Sequence, residues 1–264
     1  MTQHVTDRFA GQVAVVVGAG SGIGAAVARR VAAEGATTVV VDVVAENVAS
    51  VADSIGGASG HAVDVADPAA VEALFDAVVA QHGRVDVVVN TAGVDDPVAK
   101  DSIRAAGESG QPVDVLRELD DARWRRVMAI NLDGTFHVVR AAARRMVPQG
   151  SGSIVLIGSS AAFDTLVGYP HYAASKAGVH ALAQAAAKEL APHGIRVNVV
   201  APGPVDTPMA GRTPASVREA MAASGAVGYA SPEELADNIL YLASPGASNV
   251  IGAVLLSNGG RFTV

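Results

Sequence analysis

Short apolar runs and helix-patterned stretches alternate along most of this chain. Val13 to Val17 is a continuous apolar run that ends in glycines. Ile23 to Glu34 follows with helical spacing and closes at Gly35. Thr37 to Val41 is a second, β-branched run ending at Asp42, and a weaker helix covers Glu46 to Ser54. A short strand near His61 to Val65, a helix from Pro68 to His82 and a strand from Val85 to Val89 come next. Pro68 suits a first helical turn, with Asp67 as its N-cap. The second half repeats the alternation. It gives a helix over Asp121 to Met146, a strand over Ser153 to Ile157, an alanine-rich helix including Tyr172 to Pro192, and a strand over Ile195 to Val200. A helix capped by Ser231 runs to Ala243, and Val254 to Leu256 is a last short strand. Such alternation predicts a doubly wound α/β fold, a parallel sheet of about seven strands with helices on both faces. No linker or composition break interrupts it, so residues 1–264 read as one domain.

Two stretches depart from the alternation. Asp95 to Asp120 is polar and charged and contains Gly107 and Gly110, and Gly203 to Ala230 is a second long irregular stretch. Both are expected to follow the C-terminal ends of strands, where open α/β sheets bind ligands. The charged residues Lys100, Arg104, Glu108 and Arg117 of the first stretch are expected to face solvent.

Half of the residues are hydrophobic but only 4% are aromatic, so the core must be built from Val, Ala, Leu and Ile. A formal net charge of −7 without a basic stripe argues against a nucleic-acid partner. The chain has no cysteine, which removes disulfides, thiolate catalysis and Cys-based metal sites, and fits a reducing compartment. Met1 to Gln12 lacks an apolar signal core, and no apolar run approaches the roughly 20 residues that span a bilayer. A soluble, cytoplasmic protein without a membrane partner is expected. The seven histidines contain no His-x-x-x-His pair, so no metal is expected.

Candidate chemistry begins at Gly18, Gly20, Gly22 and Gly24, between the first strand and the first helix. Glycines let a backbone turn sharply and approach a ligand closely, and a helix N-terminus offers free N–H groups to a pyrophosphate. Asp42 ends the second strand, where a carboxylate accepts hydrogen bonds from the ribose hydroxyls of NAD and repels the 2′-phosphate of NADP. NAD is the expected cofactor and NADP the less favoured alternative. Tyr172 and Lys176 lie at i and i+4, so a helix places a phenol and an ammonium on one face. An ammonium beside a phenol favours the phenolate and lowers its pKa towards a useful range. Ser159 lies thirteen residues before Tyr172. Ser160 is its rival, and strand alternation lets only one of the two face the site. Tyr169 is a rival phenol, but its i+4 neighbour is Ala173, so it reads as a pocket wall. His171 and His180 read as structural or surface residues.

With these residues in order, the chain resembles the short-chain dehydrogenases/reductases, single-domain proteins of Rossmann type, over about Gly11 to Gly260. The resemblance rests on Gly18-Ala19-Gly20-Ser21-Gly22-Ile23-Gly24, Asp64-Val65, Asn90-Thr91-Ala92-Gly93, Asn131, Ser159, Tyr172 with Lys176, and Pro202-Gly203 followed by Thr207. It implies that Gly18, Ser21, Gly22, Ile23 and Gly24 hold the pyrophosphate and that Asp64 and Val65 contact adenine. Asn90, Ala92 and Gly93 would lie beside the adenosine ribose, and Pro202, Gly203, Val205 and Thr207 would cradle the nicotinamide carboxamide. Asn131, Ser159, Tyr172 and Lys176 would form a catalytic tetrad. Tyr172 would exchange the proton, Lys176 would lower its pKa and bond the nicotinamide ribose, Ser159 would hold the substrate oxygen, and Asn131 would anchor a water chain from Lys176. A homotetramer is implied, with the Tyr172 helix, small at Ala177, Gly178, Ala181 and Ala185, packing across one interface.

There are departures from the family pattern. Val17 stands where the family has a threonine, and Thr91 stands where it has a second asparagine. Val17 cannot make the hydroxyl bond that ties the glycine turn to the second motif, which puts the turn's bracing in question. Asn258 replaces the usual aspartate before Gly259, and the stretch between Gly93 and Asn131 is longer than usual. The expected activity is NAD-dependent interconversion of a secondary alcohol and a ketone, both small molecules. The alternatives are an NADPH-dependent 3-ketoacyl reductase of the same family and, more remotely, an inactive nucleotide-binding regulator. Ala161, Phe163 and Tyr169, with parts of the two irregular stretches, would line the pocket, which suggests a hydrophobic or alicyclic substrate.

Overall fold

The valine runs form strands because β-branched side chains fit a pleated surface, and these strands are buried on both faces. The computed structural model describes residues 7–213 and 215–264. Its strands are β1 Val13–Val17, β2 Thr37–Asp42, β3 Ser59–Ala62, β4 Val87–Asn90, β5 Gly152–Ile157, β6 Ile195–Pro202 and β7 Val254–Ser257. All pair in parallel, in the order β3-β2-β1-β4-β5-β6-β7. The order reverses between β1 and β4, which opens a crevice at the strands' C-terminal ends.

The helices are α1 Gly22–Ala33, α2 Ala45–Ile55, α3 Pro68–His82, α4 Pro97–Ser109, α5 Val115–Glu118, α6 Asp121–Met128, α7 Gly134–Gln149, α8 Pro170–Leu190, α9 Pro208–Gly211, α10 Ala215–Ala223 and α11 Pro232–Ala243. Strand alternation divides the core in two. Val13, Val15 and Val17 pack with α3, α7 and α8, whereas Ala14 and Val16 pack with α1, α2 and α11. The expected caps are present. Asp67 accepts from the amides of Ala69 and Ala70, and Ser231 and Glu234 form a reciprocal capping box.

Several expectations are corrected. β3 ends at Ala62 rather than Val65, because its partner β2 ends at Asp42, which pairs with Ala62. Asp64 and Val65 therefore lie beyond the sheet. β4 starts at Val87 rather than Val85, opposite Ala14. The expected helix from Asp121 to Met146 is α6 and α7 joined by a π-helical turn over Ala129–Asp133. The stretch 95–120 is not a loop: it holds α4, started by Asp96 as N-cap and Pro97, and the single turn α5. Within 203–230 lie α9 and α10.

Candidate active site

The crevice is built from strand ends. Gly18 follows β1, and its φ of +78° is open to glycine. A Cβ at Gly18 would sit 2.5 Å from the Ala92 nitrogen, so the turn and the 91–92 segment approach as bare backbones. Ser21 is the N-cap of α1 but makes no capping bond, so its side chain leaves the helix's first amides open. Asp42 accepts from the Gly20 amide at 2.9 Å through Oδ2 and from the Val44 amide at 3.1 Å through Oδ1. A carboxylate offers about four lone-pair sites, so capacity remains for two ribose hydroxyls. These features fit a dinucleotide: an uncapped helix end for pyrophosphate and a carboxylate for a diol.

The other predicted cofactor positions converge on the same edge. Asp64 accepts from the Ala66 amide at 2.9 Å, and Val65 is buried against Gly134, with its carbonyl 2.9 Å from His137 Nδ1. Asn90 donates to the Thr135 hydroxyl at 3.1 Å and accepts from the Ala92 amide at 3.2 Å. Gly93 faces Asn131 and Lys176: a Cβ there would lie 3.3 Å from Asn131 Oδ1 and 3.4 Å from Lys176 Nζ. Pro202 ends β6, and the Gly203 amide donates to Ser257 O at 2.8 Å. Val205 bridges to Ala230, and Thr207 caps α9 with its methyl towards Gly22. Ile23 packs at the edge of the core.

Asn131, Ser159, Tyr172 and Lys176 come together beside Gly93. Asn131 is fully buried in the π-helical turn. Its side-chain amide donates to Val94 O at 3.0 Å and to the Ser175 hydroxyl at 3.1 Å, and its Oδ1 accepts from the Val94 amide at 2.8 Å. Ser159 lies past β5 as the N-cap of a 3-10 turn over Ser160–Ala162, so strand alternation does not choose between the two serines. Of the two serines, Ser159 is the one whose side chain acts on the Tyr172 phenol, opposing the rise in that phenol's pKa. Lys176 shares the Tyr172 face, with Nζ 5.9 Å from the ring centroid and donating to Ile157 O at 2.9 Å.

The electrostatics of the polypeptide differ from expectation in one respect. Tyr172 has its pKa raised, first by burial and further by Asp95, with the Ser159 side chain opposing. The Lys176 ammonium is directed at the Ile157 carbonyl, and its own pKa falls to about 8 through burial. Tyr169, expected as a pocket wall, is half-buried, and burial followed by Asp95 and Asp96 pushes its pKa up to about 12. Ala161 is buried, whereas Phe163 is exposed and packs on the His180 ring at 5.0 Å. His180 is not a surface residue. It lies near the Ser159 amide (3.4 Å), and burial, then Lys176, lowers its pKa to about 4.

The stretch after Gly93 closes one side of the site. Lys100 does not face solvent as expected. It is buried on Asp95, with Nζ 2.5 Å from Oδ2, and also donates to Met209 O at 2.8 Å. Arg212 reaches the same carboxylate at 3.0 Å. Asp96 accepts from Arg123 Nε and from His171 Nε2, each at 3.0 Å, so His171 is a buried structural residue. Arg104, Glu108 and Arg117 are exposed, as expected.

A family model for short chain dehydrogenases matches residues 12–217. The chain belongs to the short-chain dehydrogenase/reductase family. It is 43% identical over 202 residues to cis-4-hydroxycyclohexanecarboxylate dehydrogenase of Sinomonas cyclohexanicum, covering 76% of this chain and 75% of that protein. It is 36% identical over 201 residues to the 3-oxoacyl-[acyl-carrier-protein] reductase FabG of Thermotoga maritima, again covering 76% and 75%. A crystal structure of a short-chain type dehydrogenase/reductase from Mycobacterium marinum superposes with a TM-score of 0.86 at 31% identity, covering 97% of both chains. Members of this family use nicotinamide cofactors and act on alcohol or ketone groups. Among the described residues, no helix is long and apolar enough to cross a membrane.

Within this family frame, the departure at Val17 has a local answer. The Thr91 hydroxyl lies 2.9 Å from Val17 O and 3.1 Å from Gly18 O, so it braces the glycine turn from the opposite strand. The two unusual residues thus compensate one another. Other contributors escaped the sequence pattern. Ser175 and Thr135, which hold Asn131, carry no spacing signal, and Arg212 lies far along the chain from Asp95. Asp96-Pro97 did carry one, a helix-start pair, obscured by the glycines and charges that follow.

Proposed function

We propose that this protein is an NAD-dependent oxidoreductase that interconverts a secondary alcohol and a ketone. The observation that carries this is the convergence of Ser159, Tyr172 and Lys176 beside the Gly93 backbone and the uncapped α1 N-terminus. A bound nicotinamide dinucleotide supplies or accepts the hydride. Ser159, buried and fixed by its place at the 3-10 turn, orients the substrate oxygen towards the Tyr172 phenol. Tyr172 transfers the proton to or from that oxygen. Lys176, with a pKa of about 8, keeps a cation close to the Tyr172 ring and within reach of a ribose bound beside Gly93. Asn131 fixes the Val94 backbone and so the floor of the site. Asp42 favours NAD by accepting from a ribose diol and repelling a 2′-phosphate.

Tyr172→Phe tests the assignment. Turnover of an alcohol and ketone panel, followed as NADH absorbance, should fall by about 10²- to 10⁴-fold with cofactor binding retained. Turnover close to wild type would remove Tyr172 from the chemistry. A second reading, an NADPH-dependent 3-ketoacyl reductase, draws on the likeness to FabG. Higher kcat/KM with NADPH than with NADH on a 3-ketoacyl thioester would favour it.

A further inference from the structure

Asp95 at the mouth of the site carries one more cation than its charge requires. Lys100 is buried on one carboxylate oxygen, 2.5 Å away, and is itself enough to neutralise Asp95. Arg212, on the loop after α9, then sits 3.0 Å from the other oxygen. Two cations on one carboxylate leave a formal excess of +1 (two minus one) in a chain whose net charge is −7. The excess lies close to the chemistry. The Asp95 charge acts on both the Tyr172 and the Tyr169 phenols. Asp95 also directly follows Val94, whose backbone Asn131 clasps.

Arg212 differs from the neighbouring arginines in what it has left to give. Arg123 spends two N–H groups on Asp96 and a third on Glu118 O, and is largely buried. Arg218 is paired with Asp206 and covers the Tyr229 ring. Among the described residues, Arg212 makes one bond, from a single terminal nitrogen to Asp95, and half of its side chain is exposed. A guanidinium has five N–H donors in a planar fork that matches a carboxylate. A substrate carboxylate placed there would bring the cluster to two positive and two negative charges through a charge-assisted, fork-matched pair.

We propose that Arg212, backed by Lys100 on Asp95, binds the carboxylate of a hydroxy- or keto-acid substrate whose apolar body lies against Tyr169 and Phe163. This rests on the alcohol/ketone oxidoreductase assignment and narrows its substrate class to free acids, as against thioesters or neutral alcohols.

The test compares cis-4-hydroxycyclohexanecarboxylate with its carboxamide, which has the same ring and no charge, in wild type, R212Q and R212K with NAD. Wild type should prefer the acid by about 10- to 100-fold in kcat/KM, mostly through KM, as expected for a charge-assisted hydrogen-bonded pair. The acid-to-amide ratio should collapse towards one in R212Q and be partly retained in R212K. A ratio taken within one preparation does not depend on the fraction folded, so a general loss of stability cannot imitate the result. No acid preference in wild type, or an unchanged ratio in R212Q, overturns the proposal. Calorimetric titration of cyclohexanecarboxylate, which has no reacting oxygen, into the protein with NAD separates this from the assignment beneath it. Binding at least tenfold tighter to wild type than to R212Q upholds the acid site even if neither alcohol turns over. Equal or absent binding in wild type overturns it even if Tyr172 proves catalytic.

Discussion

Thr91 shows how one hydroxyl can move between strands without loss of its purpose. Its single O–H is shared between the carbonyls of Val17 and Gly18, the last residue of β1 and the first of the glycine turn. Thr91→Val keeps the shape and removes the donor, leaving those carbonyls short of a partner at the start of the cofactor cradle. Net loss of such a bond costs about 0.5–1.5 kcal/mol, so the Kd for NAD should rise about 2- to 13-fold by titration calorimetry. Thr91→Ser should bind within about twofold of wild type. The compensation was not legible from Val17 alone, because a missing hydroxyl shows only what is lost. Ser159 was the reverse case: spacing chose it over Ser160, although the strand-alternation reason did not apply, since the strand stops at Ile157.

The helix α4 is where local rules were present and outvoted. Asp96-Pro97 is a helix start, yet Gly107 and Gly110 and the charges between them gave the stretch the look of a loop. The Val-rich strands were legible because burial on both faces demands continuous apolar runs. The contacts of α4 were not, because they depend on residues distant in sequence. Asp96 accepts from the Val98 amide as N-cap, from Arg123 of α6 and from His171 of α8, so three helices meet on one carboxylate. Burial pushes its pKa up, but the Arg123 bond and charge outweigh this and hold it below the ordinary 3.8. A carboxylate with a depressed pKa contributes stability above its unfolded value, and that contribution is lost as pH falls through the folded value. Asp96→Asn should therefore cost about 3 kcal/mol at pH 7 by leaving Arg123 unpaired. The gap from wild type, read from urea unfolding, should narrow only below about pH 4 as Asp96 in wild type protonates.

Across the molecule, the candidate cofactor cradle draws on separated parts of the chain: Gly18 after β1, Asp42 at the end of β2, Asn90 at the end of β4 and Pro202 at the end of β6. A ligand touching all of them ties the two halves of the sheet across the reversal between β1 and β4. At one hundred times its Kd, NAD should add about 2.7 kcal/mol of stability. In a domain of this size that is a rise of about 5–10 °C in Tm by scanning calorimetry. NADP at equal concentration should give a smaller rise, and an equal one would remove Asp42 as a discriminator. The π-helical turn at Ala129–Asp133 has a mechanical consequence for this arrangement. One additional residue in a helical turn acts as a phase offset, rotating the rod on one side by about 100° relative to the other. Before the offset, Arg123 is aimed at Asp96 under the mouth; after it, Arg144 and Arg145 are aimed at Glu72 on α3. The offset thus separates the half of the rod that braces the mouth from the half that braces the sheet's outer layer, with Asn131 inside it.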